Sequence, residues 1–364
     1  MDIEGLLGNR PSIFRFPIRR IGECVLLESI TVYDIAREAN VSVATVSRVL
    51  NDTAPVRTST RLKIMAIIEK HKFQPNALAR SLVNKKTGMI GVLFPDSTNM
   101  FFPEVFGGAE RAAQKLGYTL FLCNTFSNCS RESEYLNSLC ERQVEGLIFM
   151  GGRINAQHCP DALVQEVVDI QKKIPIVLIN GSLPGHPCYR VKTDEYLGTQ
   201  LIMQHLIDRG HRSIGFLGGT AETTTTLEKL QAYKRTLSAN NLSYRKEWVR
   251  LGDFSMSCGS TLMQQLLTLP NRPTAVICIN DYVAIGAMKA AISQGMHIPE
   301  DIAVAGFDDT QLASAMNPEL TTVSQHSEQL GRQAVSILSQ LIQKEKVKKL
   351  TVLEPKLIVR QSTQ

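Results

Sequence analysis

From Met89 onward, the sequence alternates short apolar runs with segments of helical periodicity, and this alternation restricts the fold more than any other feature. The predicted strands are Met89–Phe94, Thr119–Cys123, Gly146–Met150, Pro175–Ile179, Ile214–Leu217, Ala275–Ile279 and Ile302–Ala305. The predicted helices between them are Glu104–Leu116, Glu132–Arg142, Tyr196–Arg209, Leu227–Ala239 and Tyr282–Gln294. Strands and helices at this spacing indicate α/β subdomains, each with a parallel sheet between helices. There are too many strand–helix units to pack around one sheet. We therefore predict two doubly wound subdomains with a cleft between them.

A different pattern precedes them, from Thr31 to Asn51, where two short helical segments are joined by a break at Asn40-Val41-Ser42. Thr31 followed by Asp34 is typical of a capping box, and Ser42 is a good N-cap for the second helix. Two helices this short bury little surface by themselves. We interpret them as a helix-turn-helix whose second helix enters the DNA major groove; an ordinary helical hairpin is the alternative.

A third helix is predicted from Thr58 to His71, with Thr58 as its N-cap. We expect it to face the first two helices through Leu62, Met65, Ala66 and Ile68, with Phe73 closing the small core. A further segment, Ala77–Leu82, follows Pro75 and favours a helix. A helix of about eight residues is marginal in water without packing, so we expect this one to form conditionally.

The excess positive charge is confined to this amino-terminal region. The chain of 364 residues has a net charge of +6. Residues 31–87 contain ten Lys/Arg and four Asp/Glu, and the charges of the other residues cancel. Phosphate binding requires such a basic segment. The alternative is a merely solvated basic surface.

These patterns predict four regions along the chain. Residues 1–30 form a leader, which is either a disordered arm or an artefact of a start codon assigned upstream of a true start near Leu26 or Leu27. Residues 31–74 form the head, residues 75–87 the hinge helix and linker, and residues 88–364 the effector-binding and dimerisation core. No apolar run approaches the roughly 20 residues needed to span a membrane. No signal peptide is recognisable at the amino terminus.

The eight cysteines show neither a CxxC pair nor the spacing of metal ligands. A reduced, cytoplasmic location is therefore the expectation, with no metal and no cofactor. His158-Cys159 and the pair His186 and Cys188 suggest zinc only superficially, because no second ligand pair accompanies them. No P-loop, complete dinucleotide fingerprint or nucleophile elbow occurs, and the chain is not expected to be an enzyme.

Several stretches resemble the LacI/GalR family of bacterial transcription regulators. They are TVYDIAREANVSVATVSRVLN, QPNALARSL, IGVLFPD, EGLIFMGG, RGHRSIGFLGG, CINDYVAIGAM and IPEDIAVAGFDDT. The resemblance runs from Thr31 to about Gln361 and is most similar to the catabolite control protein branch. It implies a helix-turn-helix head, a hinge helix and a core like type I periplasmic binding proteins. It also implies a homodimeric repressor of carbohydrate-related genes that binds a near-palindromic operator in double-stranded DNA and responds to a small sugar or sugar phosphate.

The resemblance places the helix from Ser42 in the major groove. Val43 and Ala44 can touch a thymine methyl but cannot make bidentate hydrogen bonds to a base, so Arg48 is expected to provide most of the polar base recognition. The expected DNA-contacting residues are Thr31, Tyr33, Ser42, Val43, Ala44, Thr45, Ser47, Arg48, Asn76, Ala79 and Leu82. Thr31, Tyr33, Ser42, Ser47 and Asn76 would contact phosphates, which fixes register. For Thr45 and Ser47 the alternative is ordinary helix surface.

Leu82 matches the hinge leucine that this family inserts into the minor groove at the centre of the operator. Such an apolar wedge unstacks a base step and kinks the duplex. Ala79 would lie beside Leu82 and is small enough to let two hinge helices approach. Without the resemblance, Leu82 is simply an apolar residue before a linker.

Ligands of open parallel sheets bind beyond the carboxyl ends of the strands. Those ends are rich here in hydroxyl, amide and carboxylate groups, which suit a sugar or polyol, and phenylalanines nearby could stack on its apolar face. Together with the resemblance, this gives the expected effector-binding residues Asp96, Asn99, Phe102, Lys229, Phe254, Asn280, Asp308 and Gln325.

The sequence departs from the family pattern at two positions. Lys229 stands where the family usually has arginine, and lysine lacks the planar fork that grips vicinal hydroxyls. Ser336 stands where catabolite control proteins use an arginine, on the helix near Gly331, to bind a seryl-phosphorylated phosphocarrier protein. A phosphoprotein corepressor is one alternative to a small effector. A sugar-binding protein is another, but it would require a signal peptide and no DNA-binding head.

Overall fold

The computed structural model describes residues 30–51, 54–73 and 87–364. The chain divides into two compact units, Met1–Lys85 and Lys86–Gln364. The described part of the first unit is helical, and the second unit contains both helices and parallel sheets. No helix within the described ranges is long and apolar enough to cross a membrane.

The first unit, the head, contains α1 (Val32–Ala39), α2 (Val43–Asn51) and α3 (Thr58–Lys70). Thr31 and Asp34 form the predicted capping box at the start of α1. Asn40 ends α1 in the left-handed conformation, with φ of 53°, which turns the chain toward α2. The three helices enclose a small core of Ile35, Ala36, Ala39, Val46, Val49, Ile64 and Ile67.

The predicted orientation of α3 is wrong. Leu62 is 65% exposed, Met65 is 50% exposed and Ala66 is also exposed, whereas Ile64 and Ile67 are buried. Of the four predicted residues only Ile68 packs against the head core, and it is half-buried. Apolar side chains occur on several faces of this helix, so periodicity alone does not select the buried one. The predicted cap is also wrong, because the helix begins at Thr58 and its N-cap residue is Arg57, whose side chain makes no cap. Phe73 packs against the head core as expected.

The first subdomain of the second unit has a sheet of six parallel strands in the order β11-β5-β4-β3-β1-β2. The strands are β1 (Met89–Phe94), β2 (Thr119–Asn124), β3 (Gly146–Met150), β4 (Ile176–Ile179), β5 (Tyr189–Thr193) and β11 (Leu350–Leu353). On one face lie α4 (Phe101–Lys115) and α12 (Ser327–Ile342), and on the other α5 (Cys129–Glu141) and α6 (Asp161–Gln171). Glycines at Gly108 and Gly331 let α4 and α12 approach backbone to backbone, because a Cβ at either position would meet the facing main chain.

The second subdomain has a sheet of four parallel strands in the order β7-β6-β8-β9. Its strands are β6 (Ile214–Leu217), β7 (Val249–Arg250), β8 (Ala275–Cys278) and β9 (Ala303–Ala305). Its helices are α7 (Glu195–Asp208), α8 (Thr224–Ala239), α9 (Met256–Leu267), α10 (Asp281–Ser293) and the short α11 (Gln311–Ala315). Strands β10 (Thr322–Ser324) and β12 (Lys356–Ile358) form a separate antiparallel pair beside this core.

The chain crosses between the two subdomains three times, after β5, after β10 and after β11. Two of these crossings are joined, because the Thr193 hydroxyl donates to the Gln325 carbonyl at 3.0 Å. The two-subdomain α/β architecture agrees with the prediction from strand and helix alternation. Strands β5, β7, β10 and β11 were not predicted, and neither were α6, α9 and α12 as complete helices. The terminal strand β12 lies within residues 354–364, where the sequence predicts a strand.

Candidate functional site

The exposed face of α2 contains two of the residues expected to read bases. Ala44 and Arg48 are exposed and lie four residues apart, so they share one side of the helix. The Arg48 guanidinium makes no hydrogen bond or ion pair with another described residue, which leaves its donors available. Val43 is half-buried and packs partly against the head core, so only part of its side chain faces outward.

Ser42 and Thr31 have structural roles at the starts of their helices. The Ser42 hydroxyl accepts a hydrogen bond from the Thr45 backbone N–H at 3.2 Å, and it lies 2.9 Å from the Thr45 hydroxyl. Thr31 is exposed and hydrogen-bonded to Asp34, while Tyr33 is the most exposed large apolar side chain of the head. Thr45 and Ser47 are half-buried. Asn76, Ala79 and Leu82 lie outside the described residues.

Inside the second unit, Glu195, Lys229, Asp308 and Gln325 are buried and Asn180 is half-buried. We call these five side chains the buried polar cluster. The Lys229 ammonium donates to the Ile279 carbonyl at 2.9 Å, lies 3.6 Å from a Glu195 carboxylate oxygen, and sits 3.6 Å from the centre of the Phe307 ring. Burial raises the pKa of Glu195, and Lys229 opposes that shift. Lys229 is therefore held from three sides.

The rest of the cluster is a relay of hydrogen bonds across the cleft. Asn180, which follows β4 of the first subdomain, donates to Gln325 at 2.9 Å. Gln325 in turn donates to Asp308 at 2.6 Å. Burial raises the pKa of Asp308 well above its usual range, and the Lys229 charge lowers it in part. The backbone of Asp308 has φ of 112°, a conformation that L residues rarely adopt.

The fold brings Asn280 and Phe254 together, but the Asn280 side-chain amide already makes hydrogen bonds to backbone groups. Its oxygen accepts from the Val283 N–H at 2.8 Å and so caps α10, and its nitrogen donates to the Phe254 carbonyl at 3.1 Å. The Phe254 side chain is half-buried against the second core. This leaves the Phe254 ring with more contact area to offer than the Asn280 amide.

The three predicted effector-binding residues of the first subdomain make contacts with residues near them in the chain or in the sheet. Asp96 accepts from the Thr98 backbone N–H at 2.8 Å, and Asn99 accepts from the Phe101 N–H at 3.1 Å. The Phe102 ring stacks on Phe94 with centroids 6.2 Å apart. Tyr282 of α10 connects this region to the second subdomain, because its hydroxyl donates to the Thr98 carbonyl at 2.7 Å and accepts from the Met100 N–H at 3.1 Å.

Two acidic residues near the cleft were not singled out from the sequence. Glu195 pairs with Lys229 across a separation of more than thirty residues, which no local pattern reveals. Asp281 is fully buried and accepts hydrogen bonds from Thr310 and Thr322, and burial raises its pKa to about 7. The sequence feature that could have identified Asp281 is its position directly after Asn280, at the end of a strand.

Comparisons with known proteins agree with this arrangement. The family model described as "Bacterial regulatory proteins, lacI family" matches residues 31–76. The model described as "Periplasmic binding protein-like domain" matches residues 203–363. Both models correspond to features already described, namely the three-helix head and the subdomains with their parallel sheets.

Individual relatives cover almost the whole chain. Catabolite control protein A of Priestia megaterium is 36% identical over 338 residues, which span 92% of this chain and 99% of the relative. The HTH-type transcriptional repressor PurR of Vibrio vulnificus (strain CMCP6) is 34% identical, covering 91% of this chain and 97% of the relative. The lac repressor dimer bound to operator and the anti-inducer ONPF superposes with a TM-score of 0.83 at 28% identity, covering 92% of this chain and 99% of the other.

These relatives are transcription regulators rather than enzymes, and they combine a DNA-binding head with an effector-binding domain. The head of this chain matches the family model, and its identity to two repressors extends over more than nine-tenths of the sequence. The chain therefore belongs to the lacI family of bacterial regulatory proteins and is a DNA-binding transcription repressor with an effector-binding domain.

Proposed function

We propose that this repressor acts in the cytoplasm as a homodimer on a near-palindromic operator of carbohydrate-related genes, with a small sugar or sugar phosphate as its effector. The observation that carries the DNA-binding part is the exposed face of α2, where Arg48 has no partner among the described residues. Each subunit would place α2 in one half-site, and the hinge segment with Ala79 and Leu82 would meet its copy at the centre.

A mobility-shift experiment tests the DNA-binding part. We expect a specific complex with a near-palindromic site and a much weaker one with a scrambled site of equal length. Raising the salt concentration should weaken both, because phosphate contacts release counterions. Binding of equal strength to both sites would contradict sequence-specific recognition. The variant Leu82→Ala should weaken the specific complex far more than the non-specific one, and equal losses would contradict the wedge role.

The effector part rests on the cleft. Gln325 joins Asn180 of the first subdomain to Asp308, and Glu195 lies beside Lys229 in the same cluster. The Phe254 ring is half-buried against the second core, and its carbonyl accepts from Asn280. These groups suit a ligand with several hydroxyls and an apolar face. Asp96, Asn99, Phe102 and Asn280 would complete the site.

A thermal-shift screen of sugars and sugar phosphates tests this assignment. A ligand that raises the melting temperature should lose most of that effect in Phe254→Ala. The matched control is Phe126→Ala, because the Phe126 ring is exposed on the first subdomain. A ligand shift that is unchanged in Phe254→Ala would contradict the placement of the effector.

The dimer has a suitable surface on the first subdomain. Strand β2 lies at the edge of the six-stranded sheet, and Phe121 and Leu122 on it are 39% and 46% exposed. An exposed apolar edge strand is a liability that proteins usually cover. We infer that a second copy covers this edge strand.

Sedimentation tests this dimer surface. Leu122→Glu should weaken the dimer, whereas Val359→Glu, at a side chain of similar exposure, should leave it intact. A Leu122→Glu protein that dimerises as the unmodified protein does would contradict this surface.

A corepressor protein is the second candidate, because a catabolite control protein is among the relatives. The helix α12 exposes Arg332 and Ser336 four residues apart, on one side. Arg332 could pair with a phosphoserine, although the arginine expected at the position of Ser336 is missing. Calorimetry with a seryl-phosphorylated phosphocarrier protein should show binding that is lost in Arg332→Ala. The unphosphorylated carrier is the control, and equal binding of both forms would contradict this candidate.

A further inference from the structure

The six strands of the first subdomain are parallel, so all of them begin at the same edge of their sheet. We call this edge, with the loops that lead into the strands, the entry edge. It comprises residues 87–88, 115–118, 141–145, 171–175, 186–188 and 343–349. Neighbouring strands lie about 4.8 Å apart, so the entry edge extends over about 24 Å from β2 to β11.

The entry edge is strongly basic. It contains eight lysine or arginine residues and three glutamates. Half of the basic residues lie in the loop 343–349, and the others are Lys115, Arg142, Lys172 and Lys173. All eight basic side chains are exposed. Residues 88–364 as a whole contain equal numbers of basic and acidic residues, so the excess is a property of this edge and not of the core in general.

The opposite edge of the same sheet, where the strands end, has no such excess. Asp96 and Asp194 follow β1 and β5. Arg153 follows β3, but it is buried and pairs with Glu132 and Glu166. The exposed positive charge at the two ends of these strands is therefore concentrated where the strands begin.

The lysines of the loop 343–349 are available to a partner. Lys344, Lys346, Lys348 and Lys349 make no ion pair or side-chain hydrogen bond with another residue in the described ranges. In contrast, Lys172 pairs with Asp169 at 2.7 Å. Cations spread over about 24 Å do not converge on one small anion. They match an extended polyanion instead.

The chain enters the first subdomain at this edge. Gly88 directly precedes β1, and its N–H donates to a Glu145 carboxylate oxygen at 2.6 Å. The Thr87 hydroxyl donates to the Gln143 carbonyl at 2.8 Å. The DNA-binding head and the hinge segment come immediately before these residues in the chain. The basic edge is therefore the edge at which the chain arrives from its DNA-binding head.

We propose that the entry edge contacts the phosphate backbone of double-stranded DNA beside the operator. A lysine ammonium is a point charge on a flexible side chain, so it binds phosphates without reading bases. Each phosphate contact releases counterions, and its contribution to affinity falls as the salt concentration rises. This surface is separate from the head, the hinge and the effector-binding residues. It would add affinity for DNA without adding sequence preference.

The topology of the sheet gives the length of DNA that such a contact requires. Lys348 and Lys349 lie at the start of β11, which is four strand spacings, or about 19 Å, from β1. One base pair of B-DNA rises about 3.4 Å. A duplex that runs along the entry edge would therefore meet these lysines about six base pairs from the point where the chain enters.

Fluorescence anisotropy of the full-length protein on two duplexes tests this contact. Both duplexes carry the same near-palindromic site, selected from random DNA. The short one ends at the site, and the long one continues for about 12 base pairs on each side, twice the distance estimated above. The unmodified protein should bind the long duplex more tightly. Lys348→Gln/Lys349→Gln should remove most of this advantage and lower the salt slope on the long duplex by about 1–2, with little change on the short one.

The matched control is Lys246→Gln/Lys289→Gln, which removes the same charge from two exposed positions of the second subdomain. This control should keep the advantage of the long duplex. Lys344→Gln/Lys346→Gln should act like the first double variant and provides a second test if that variant fails to fold. Phosphate contacts do not depend on sequence, so the loss should persist on a long duplex with a scrambled site. That result separates this surface from recognition of the operator.

The proposal is overturned if the unmodified protein binds both duplexes equally, or if the two lysine variants lose no more affinity than the control. It is also overturned if the lysines serve only to keep the edge strand β11 from pairing with other strands. In that case, sedimentation would show aggregation of the lysine variants, and their binding to both duplexes would match that of the unmodified protein.

Discussion

The head and the buried polar cluster both contain charged side chains that matter for function, but they hold them in opposite ways. Arg48 on α2 is exposed and has no partner among the described residues. Lys229 in the cluster is buried and contacts a carbonyl, a carboxylate and an aromatic ring. The first cation is available to a partner in solution, whereas the second already has its partners inside the protein.

Substitutions in these two regions should therefore have different consequences. Removing an exposed, unpaired side chain should alter binding and leave folding almost unchanged. Removing a buried charge leaves its partner uncompensated in a poorly solvating environment, so folding should be affected first. Four predictions test this contrast.

The largest effect is expected for Lys229→Met. The substitution leaves Glu195 buried without its cation, so the free energy of unfolding should fall by about 3–5 kcal/mol. Urea denaturation of the purified protein measures this change. Lys289→Met, at an exposed position on α10, is the control and should change the value by less than about 0.5 kcal/mol. A loss below about 1 kcal/mol for Lys229→Met would mean that the cluster does not depend on this cation.

Within the head, Ile64→Ala tests the orientation of α3. Ile64 is buried, so its truncation should destabilise the head by about 2–5 kcal/mol. Leu62→Ala, two positions away and exposed, should cost less than about 0.5 kcal/mol. Hydrogen–deuterium exchange of the head amides measures local unfolding directly. The reverse order of the two effects would restore the orientation expected from the sequence.

Arg48→Ala should leave the stability of the head unchanged and weaken operator binding by about 1–3 kcal/mol. It should also relax the preference for the operator over single-base variants, because the lost contact is to a base. Mobility shifts on a set of such variants measure both effects. Arg37→Ala on α1 is the control, since Arg37 is exposed and pairs only locally with Asp34. If Arg48→Ala weakened binding to all the DNA variants equally, Arg48 would instead contact the phosphate backbone.

The smallest effect is expected for Ser42→Ala. Loss of the hydrogen bond from the Thr45 N–H should destabilise the start of α2 by about 1 kcal/mol. Amide exchange in α2 should increase while exchange in α3 stays the same. Ser42→Asp keeps a capping oxygen and should preserve the stability of the helix. Preserved stability combined with weaker DNA binding would add a phosphate contact to the role of Ser42.

The sequence predicted those elements whose signal is local. The capping box at Thr31 and Asp34, the Ser42 cap and the strands buried on both faces all have short-range signatures, and the structure agrees with each. Strand β5 was missed because Tyr189–Thr193 alternates buried and polar residues instead of forming an apolar run. The orientation of α3 was missed because its apolar residues do not mark a single face.

The cleft was harder to predict for a physical reason. Residues at strand ends could be identified as a group, and Asp308 and Gln325 do come together there. Lys229, which the family resemblance singled out, lies on α8 and joins them. Which partner each one takes depends on contacts between distant segments, such as Lys229 with Glu195 and Gln325 with Asn180.

The backbone of Asp308 has an implication for protein engineering. Its φ of 112° is costly for a residue with a side chain, by about 1–3 kcal/mol, and glycine would relieve that cost. Asp308→Gly would therefore relieve the strain and, in the same step, remove the carboxylate that accepts from Gln325 at the end of the relay from Asn180. The two effects on the free energy of unfolding oppose each other, because the buried Gln325 amide loses its partner. Glycine at this position should consequently change heat resistance little, while the response to the effector is lost and DNA binding is kept.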